Sequence, residues 1–241
     1  MSSKQGSSIV TSDLIVKIEN TPDLPPDTWY LICAAVLCAL NEPTEVAALL
    51  KHLIHDAEGD LTEQKRLATR YREALIKIAP LSGMPKTINS LLALKRVTPP
   101  ELLDDASTQT TRTKDFTETP AADVLARGKD FFGVVYGSKA SSMMKVLDSC
   151  GTPDLGAAAR LMYAFFPSNT SVLSGAETMC VSFVGAIAVD VQDVALNHMR
   201  GAVNHGASVR QVNAVREAAV VLCETVISCQ DGKSRGYVAR L

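Results

Sequence analysis

The chain has few aromatic residues, 5% with a single Trp, and its 24 Lys and Arg nearly balance its 26 Asp and Glu. That balance excludes the broad basic field with which a protein neutralises a phosphate backbone, so no nucleic-acid partner is expected. Long apolar runs are missing as well. The most apolar stretches, Trp29 to Leu40 and Cys180 to Val189, are well short of the roughly 20 residues that cross a bilayer. They are expected to be core helices, with no membrane insertion. The six cysteines, Cys33, Cys38, Cys150, Cys180, Cys223 and Cys229, form no Cys-x-x-Cys pair. They also lack the loop spacing of a disulfide framework, which points to a reducing, intracellular home. No glycine-rich phosphate loop, Gly-x-Ser-x-Gly elbow or His-Glu-x-x-His occurs. His52 and His55 stand at i, i+3 without a third ligand, so a solvated or interface role is expected for them. His205 lies at i, i+7 from His198, about 10 Å along a helix, too far to share an ion. It is expected to sit against the C-terminal end of its helix dipole. No metal and no cofactor is expected. Met1 to Ser12 has no apolar h-region, so no secretory leader is expected there.

What the chain does have is aliphatic bulk: 46% of its 241 residues are hydrophobic, enough to bury a substantial core. With aromatics scarce and alanine and leucine abundant, an all-α fold is expected. Two segments share a plan. In the first, the run Trp29 to Leu40 breaks at Asn41-Glu42-Pro43, a second helix ends near Gly59, and a third covers about Leu61 to Ala79. In the second, Glu177 to Val189 breaks near Asp190, a helix through His198 ends at Gly206, and a third runs from Ser208 to about Ser228. Tyr71-Arg72-Glu73-Ala74 matches Val215-Arg216-Glu217-Ala218 in the third helices. Gly59 and Gly206 suit left-handed helix ends, and Asp60 to Glu63 and Ser208 to Gln211 suit capping boxes. The expected division is a disordered or extended lead over 1–25, a first helical repeat over 26–97, an exposed linker over 98–120, a second repeat over 121–229, and a flexible tail over 230–241.

The stretch Leu173-Ser174-Gly175-Ala176-Glu177, an apolar helix, and then His198-Met199-Arg200-Gly201-Ala202-Val203-Asn204-His205-Gly206 resembles the carboxymuconolactone decarboxylase family. Leu81-Ser82-Gly83-Met84-Pro85 with Asn89 is similar to the segment that closes a repeat of that family. Asp130 to Gly137, with Pro153-Asp154-Leu155 downstream, is similar to its entry into a domain. The resemblance implies an AhpD-like fold of two repeats and a homo-oligomer, a trimer or hexamer. It also implies acid/base chemistry, decarboxylation or lactone chemistry, on a small carboxylated substrate. Where the family's thiol peroxidases carry their cysteine pair this chain has Val191 and Val194, so a thiol peroxidase is not expected. Glu177 and His198 are twenty-one positions apart, a wider interval than is usual in the family.

Three residues are candidates for the site. His198 is the candidate catalytic acid/base, because an imidazole titrates near neutral pH; its alternative is a core histidine satisfied by a hydrogen bond. Glu177 is the candidate catalytic partner, or else an N3 capping acid behind Ser174. Straight helices would place these two at different heights of an antiparallel hairpin. Arg200 is the candidate substrate-binding residue, an anchor for a carboxylate, or else one half of a surface ion pair. If the site is lost, a non-catalytic oligomeric or binding protein that kept the fold is the rival reading. The terminal Ala239-Arg240-Leu241 matches the tripeptide class of the peroxisomal address, in which Ser-Lys-Leu belongs. A peroxisomal import receptor is therefore an expected partner, and the peroxisomal matrix the expected location.

Overall fold

The computed structural model describes residues 8–231. Among them every regular element is helical and no strand occurs, as the composition implies. The helices are α1 (Ser12–Glu19), α2 (Trp29–Ala39), α3 (Pro43–Asp56), α4 (Leu61–Lys77), the single turn α5 (Ala79–Ser82) and α6 (Met84–Val97). After a 3-10 turn at Pro100–Leu102 come α7 (Thr111–Thr117) and α8 (Ala121–Tyr136). A second such turn, Gly137–Lys139, leads to α9 (Ala140–Asp148), α10 (Asp154–Phe165), α11 (Gly175–Ala188), α12 (Gln192–Asn204) and α13 (Val209–Asp231).

Two helices lack a polar face and therefore sit at the centre. Every residue of α2 from Tyr30 to Ala39 is buried, as is every residue of α11 from Thr178 to Ala186. They pack against each other, with α4 and α13 each touching both. Outside them α3 lies on α6, while α8 contacts α10 and α12. The turns that leave α2 and α11 are built alike. Asn41 and Asp190 take left-handed backbone, with φ of 59° and 58°. In each turn two amides reach back over the helix end. Glu42 N–H donates to Leu37 O (2.8 Å) and Asn41 N–H to Cys38 O (3.0 Å); Val191 N–H donates to Ala186 O (2.9 Å) and Asp190 N–H to Ile187 O (3.0 Å). Both are Schellman closures that use the residues best able, after glycine, to adopt that conformation. The next helix ends are followed by Gly59 and Gly206, at φ 91° and 101°. Asp60 then caps α4 through the Glu63 amide at 3.0 Å, and Ser208 and Gln211 cap α13 reciprocally.

Three expectations are corrected. The lead is not structureless over its length, because α1 buries Leu14, Ile15 and Ile18 and packs on α2. Its first turn is capped by Thr11. The segment from Thr98 to Pro120 is not an exposed connector: Thr98 and Leu102 are buried, and α7 carries Arg112, which donates twice to Glu73 at 2.9 and 2.7 Å. Glu73 is itself buried and lies 3.7 Å from the buried Lys77, whose ammonium donates to the carbonyls of Phe166, Pro167 and Asn169. Burial pushes Lys77 down to about 8, against the pull of Glu73. The segment thus supplies the counter-charge a buried carboxylate needs. Finally, the expected tail does not begin at Gln230, which is still helical and donates to Leu40 O and Glu42 Oε1, both at 2.9 Å.

Helices α8 and α10 meet where neither has bulk. A Cβ placed on Gly128 would fall 2.5 Å from Ala164 Cα, whereas one on Gly133 would meet nothing within 4 Å. Gly128→Ala is therefore expected to lower the urea unfolding free energy by about 1–3 kcal/mol by forcing the helices apart. Gly133→Ala is expected to leave it unchanged or raise it by up to about 1 kcal/mol through helix propensity.

Candidate functional site

His198 lies in the middle of α12 and is 8% exposed. Its Nε2 stands 3.3 Å from the Tyr163 hydroxyl on α10, and Tyr163 in turn donates to the Tyr136 hydroxyl on α8 at 3.4 Å. The other ring nitrogen, Nδ1, is buried without a hydrogen-bond partner. The arrangement is satisfied when Nε2 carries the proton and donates to Tyr163, leaving Nδ1 a bare acceptor. Burial alone pushes His198 down to about 4, and it raises Tyr163 well above an ordinary phenol. The imidazole is thus neutral at physiological pH, and no carboxylate among the described residues is bonded to it.

Glu177 is engaged elsewhere. At N3 of α11 it completes a capping box: the Ser174 amide and hydroxyl both donate to Oε2 at 2.8 Å, and the Glu177 amide donates to Ser174 Oγ at 3.2 Å. Its other oxygen accepts from Arg70 of α4, which also donates to the hydroxyl of the buried Tyr30 at the start of α2. Burial works against ionisation of Glu177, but Arg70 and Ser174 outweigh it and hold its pKa below the usual carboxylate range. No hydrogen bond or ion pair joins Glu177 to His198 among the described residues. Arg200, two positions beyond His198, is exposed and has no ion-pair partner there either. The three candidates thus have different surroundings: Glu177 is bonded to Arg70 and Ser174, His198 to Tyr163, and Arg200 lies exposed.

His205 caps the end of α12 as expected, but its ring turns inward. It stacks on Phe131 at 4.5 Å and presses on Gly175, where a Cβ would fall 2.3 Å from Nδ1. Burial lowers its pKa, opposing the positive charge that the helix end would favour. His52 pairs with Asp56 (3.1 Å) on the same helix, and His55 pairs with Glu58 (3.5 Å) just beyond its end. The six cysteines are free thiols. Burial pushes Cys33 and Cys180 up to about 12 and Cys223 up to about 11, so none of these three offers a thiolate at neutral pH. The terminal tripeptide lies outside the described residues.

Sequence reasoning missed a cavity of about 680 Å³ between α8, α9 and α10. Phe132, Met144 and Tyr163 line it, Gly133 leaves room in its wall, and Lys129 and Lys145 stand at its edge. Tyr163 connects it to the candidate histidine: one residue lines the cavity and touches His198 behind it. No spacing motif marks these positions, which come from three helices.

Comparison with known proteins fits this all-helical chain to a cellular location. It is 27% identical over 199 residues to Peroxisomal protein 2 of Schizosaccharomyces pombe, an alignment covering 82% of this chain and 86% of the relative. It is 23% identical to Peroxisomal protein 2 of Saccharomyces cerevisiae over an alignment of 269 positions, covering 90% and 94%. A peroxisomal location follows. No family model matches the chain, and no solved structure matches it significantly. No described helix is long and apolar enough to cross a membrane.

The buried imidazole makes stability depend on pH. Unfolded, His198 regains a pKa near 6.5, above its folded value of about 4. The unfolded chain therefore binds the extra proton first on acidification. The contribution of this group is complete above pH 6.5 and is lost as pH falls toward 4, on the order of 3 kcal/mol in all. In urea titrations across that window, His198→Gln is expected to flatten the acid loss of stability; equal slopes in both proteins would contradict the assignment.

Proposed function

We propose that this is a peroxisomal binding protein, built from two carboxymuconolactone decarboxylase-like repeats in the AhpD-like manner, that holds a small molecule without transforming it. The observation that carries the reading is the relation of His198 to the cavity: the imidazole stands behind Tyr163, neutral and lacking a carboxylate, while the cavity in front is open to solvent. Such a histidine supports a wall, and a general acid/base needs reach to the reacting proton. The two-repeat reading is supported by the matched turns at Asn41 and Asp190 and by the central pairing of α2 with α11. On this reading 26–97 and 121–229 are the repeats, and the segment between them has become part of the packing. Exposed apolar side chains such as Leu161 and Val146, 63% and 60% exposed, support the assembly of copies into a trimer or hexamer.

The test is direct. An apolar fluorophore such as N-phenylnaphthylamine is expected to bind once per chain, and Gly133→Leu, which fills the cavity from its open side, is expected to abolish that binding while the circular dichroism melt is unchanged. Binding that survives the filled cavity would sink the reading. A second reading, decarboxylase or lactone chemistry at His198, draws on its unpartnered Nδ1. It would require His198→Ala to cut kcat about 100-fold on a small carboxylated substrate.

Entry into the peroxisome is assigned to Ala239, Arg240 and Leu241, read by an import receptor that needs a free carboxylate and an extended segment. Deleting the three residues is expected to leave the protein cytosolic in cells without changing its oligomeric mass; peroxisomal localisation after the deletion would place the address elsewhere.

A further inference from the structure

The cavity between α8, α9 and α10 has a polarity of its own. Its inner wall is apolar, built on Phe132 and Met144, and the Tyr163 hydroxyl set into it is already engaged with His198 and Tyr136, while the other lining hydroxyl belongs to the exposed Ser141. The edge is cationic. Lys129 of α8 and Lys145 of α9 are exposed, and their ammonium groups have no hydrogen-bond or ion-pair partner among the described residues. The one carboxylate in the lining, Asp148, is neutralised by Arg160, which donates to both of its oxygens at 2.6 and 2.8 Å. Two ammonium groups are thus left uncompensated above an apolar floor, in a volume within the ordinary range of small-molecule sites.

We infer that this cavity takes an aliphatic carboxylate, with the chain laid against Phe132 and Met144 and the carboxylate between Lys129 and Lys145. The inference rests on the reading of the protein as a binding protein and adds the class of ligand. An aliphatic chain gains from the apolar wall in proportion to the area it removes from water. Exposed ion pairs at the edge add a smaller, salt-sensitive increment. Affinity should therefore follow chain length first and charge second. A purely ionic ligand such as phosphate would leave the apolar wall unused, and a neutral hydrocarbon would leave both ammonium groups unanswered.

The experiment is isothermal titration of the full-length protein with dodecanoate, hexanoate and dodecanol, below their aggregation limits and at low salt. Dodecanoate is expected to bind once per chain, more than tenfold tighter than hexanoate and about fivefold tighter than dodecanol. The double variant Lys129→Gln/Lys145→Gln is expected to lose the preference for the acid while keeping the affinity for the alcohol, which shows that the variant is folded. Gly133→Leu is expected to lose all three. Equal binding of acid and alcohol, unaffected by the lysine changes, would overturn the inference while leaving a binding protein. Failure of every amphiphile and of the apolar fluorophore would overturn the binding reading with it. If Gly133→Leu instead lowers the oligomeric mass in sedimentation, the cavity is an interface between copies and the inference fails.

Discussion

Two helices without a polar face, α2 and α11, must be covered on every side, and the placement of the other helices follows from that need. An amphipathic helix at the surface is content with one neighbour, but these two require a shell. Each obtains it from the other, from α4 and from α13. The cost of crowding so much apolar surface is that polar groups near it must find partners on the spot. Glu73, Lys77 and Arg112 do so at one edge, and Glu177, Arg70 and Tyr30 at another.

That constraint also decides what the candidate catalytic residues can do. Glu177 opens α11 beside the opening of α2, where a half-buried carboxylate needs a cation, and Arg70 of the first half of the chain supplies it. A carboxylate so held is a fastener between the two halves, ionised and fixed. His198, one helix further along, is left with tyrosines for company. The residues that in the sequence suggest an acid/base pair are divided between two structural tasks, and the space suited to a ligand lies beyond Tyr163, on the far side of the histidine.

Local chemistry made much of the fold legible. The apolar runs of α2 and α11, the left-handed positions at Gly59 and Gly206, and the caps at Asp60, Ser174 and Ser208 each have a short-range cause, and each stands where the residues put it. What escaped was long-range. The segment around Arg112 reads as polar and loop-like until Glu73 is seen to need its guanidinium. Arg70 and Glu177 are 107 residues apart, and no periodicity announces their contact. Helix α1 is short, and its three buried side chains acquire meaning only against α2. The cavity is invisible for the same reason, since its walls are ordinary helix faces that leave a gap only when three of them are assembled.

The central claim is that Glu177 fastens the two halves of the chain and does not work with His198. Double-mutant cycles on the unfolding free energy test it most directly, with Arg70→Met, Glu177→Gln and His198→Gln combined in pairs. The account requires a coupling of about 1–2 kcal/mol between Arg70 and Glu177 and one below about 0.5 kcal/mol between Glu177 and His198. A Glu177–His198 coupling as large as that of Arg70 with Glu177 would contradict it.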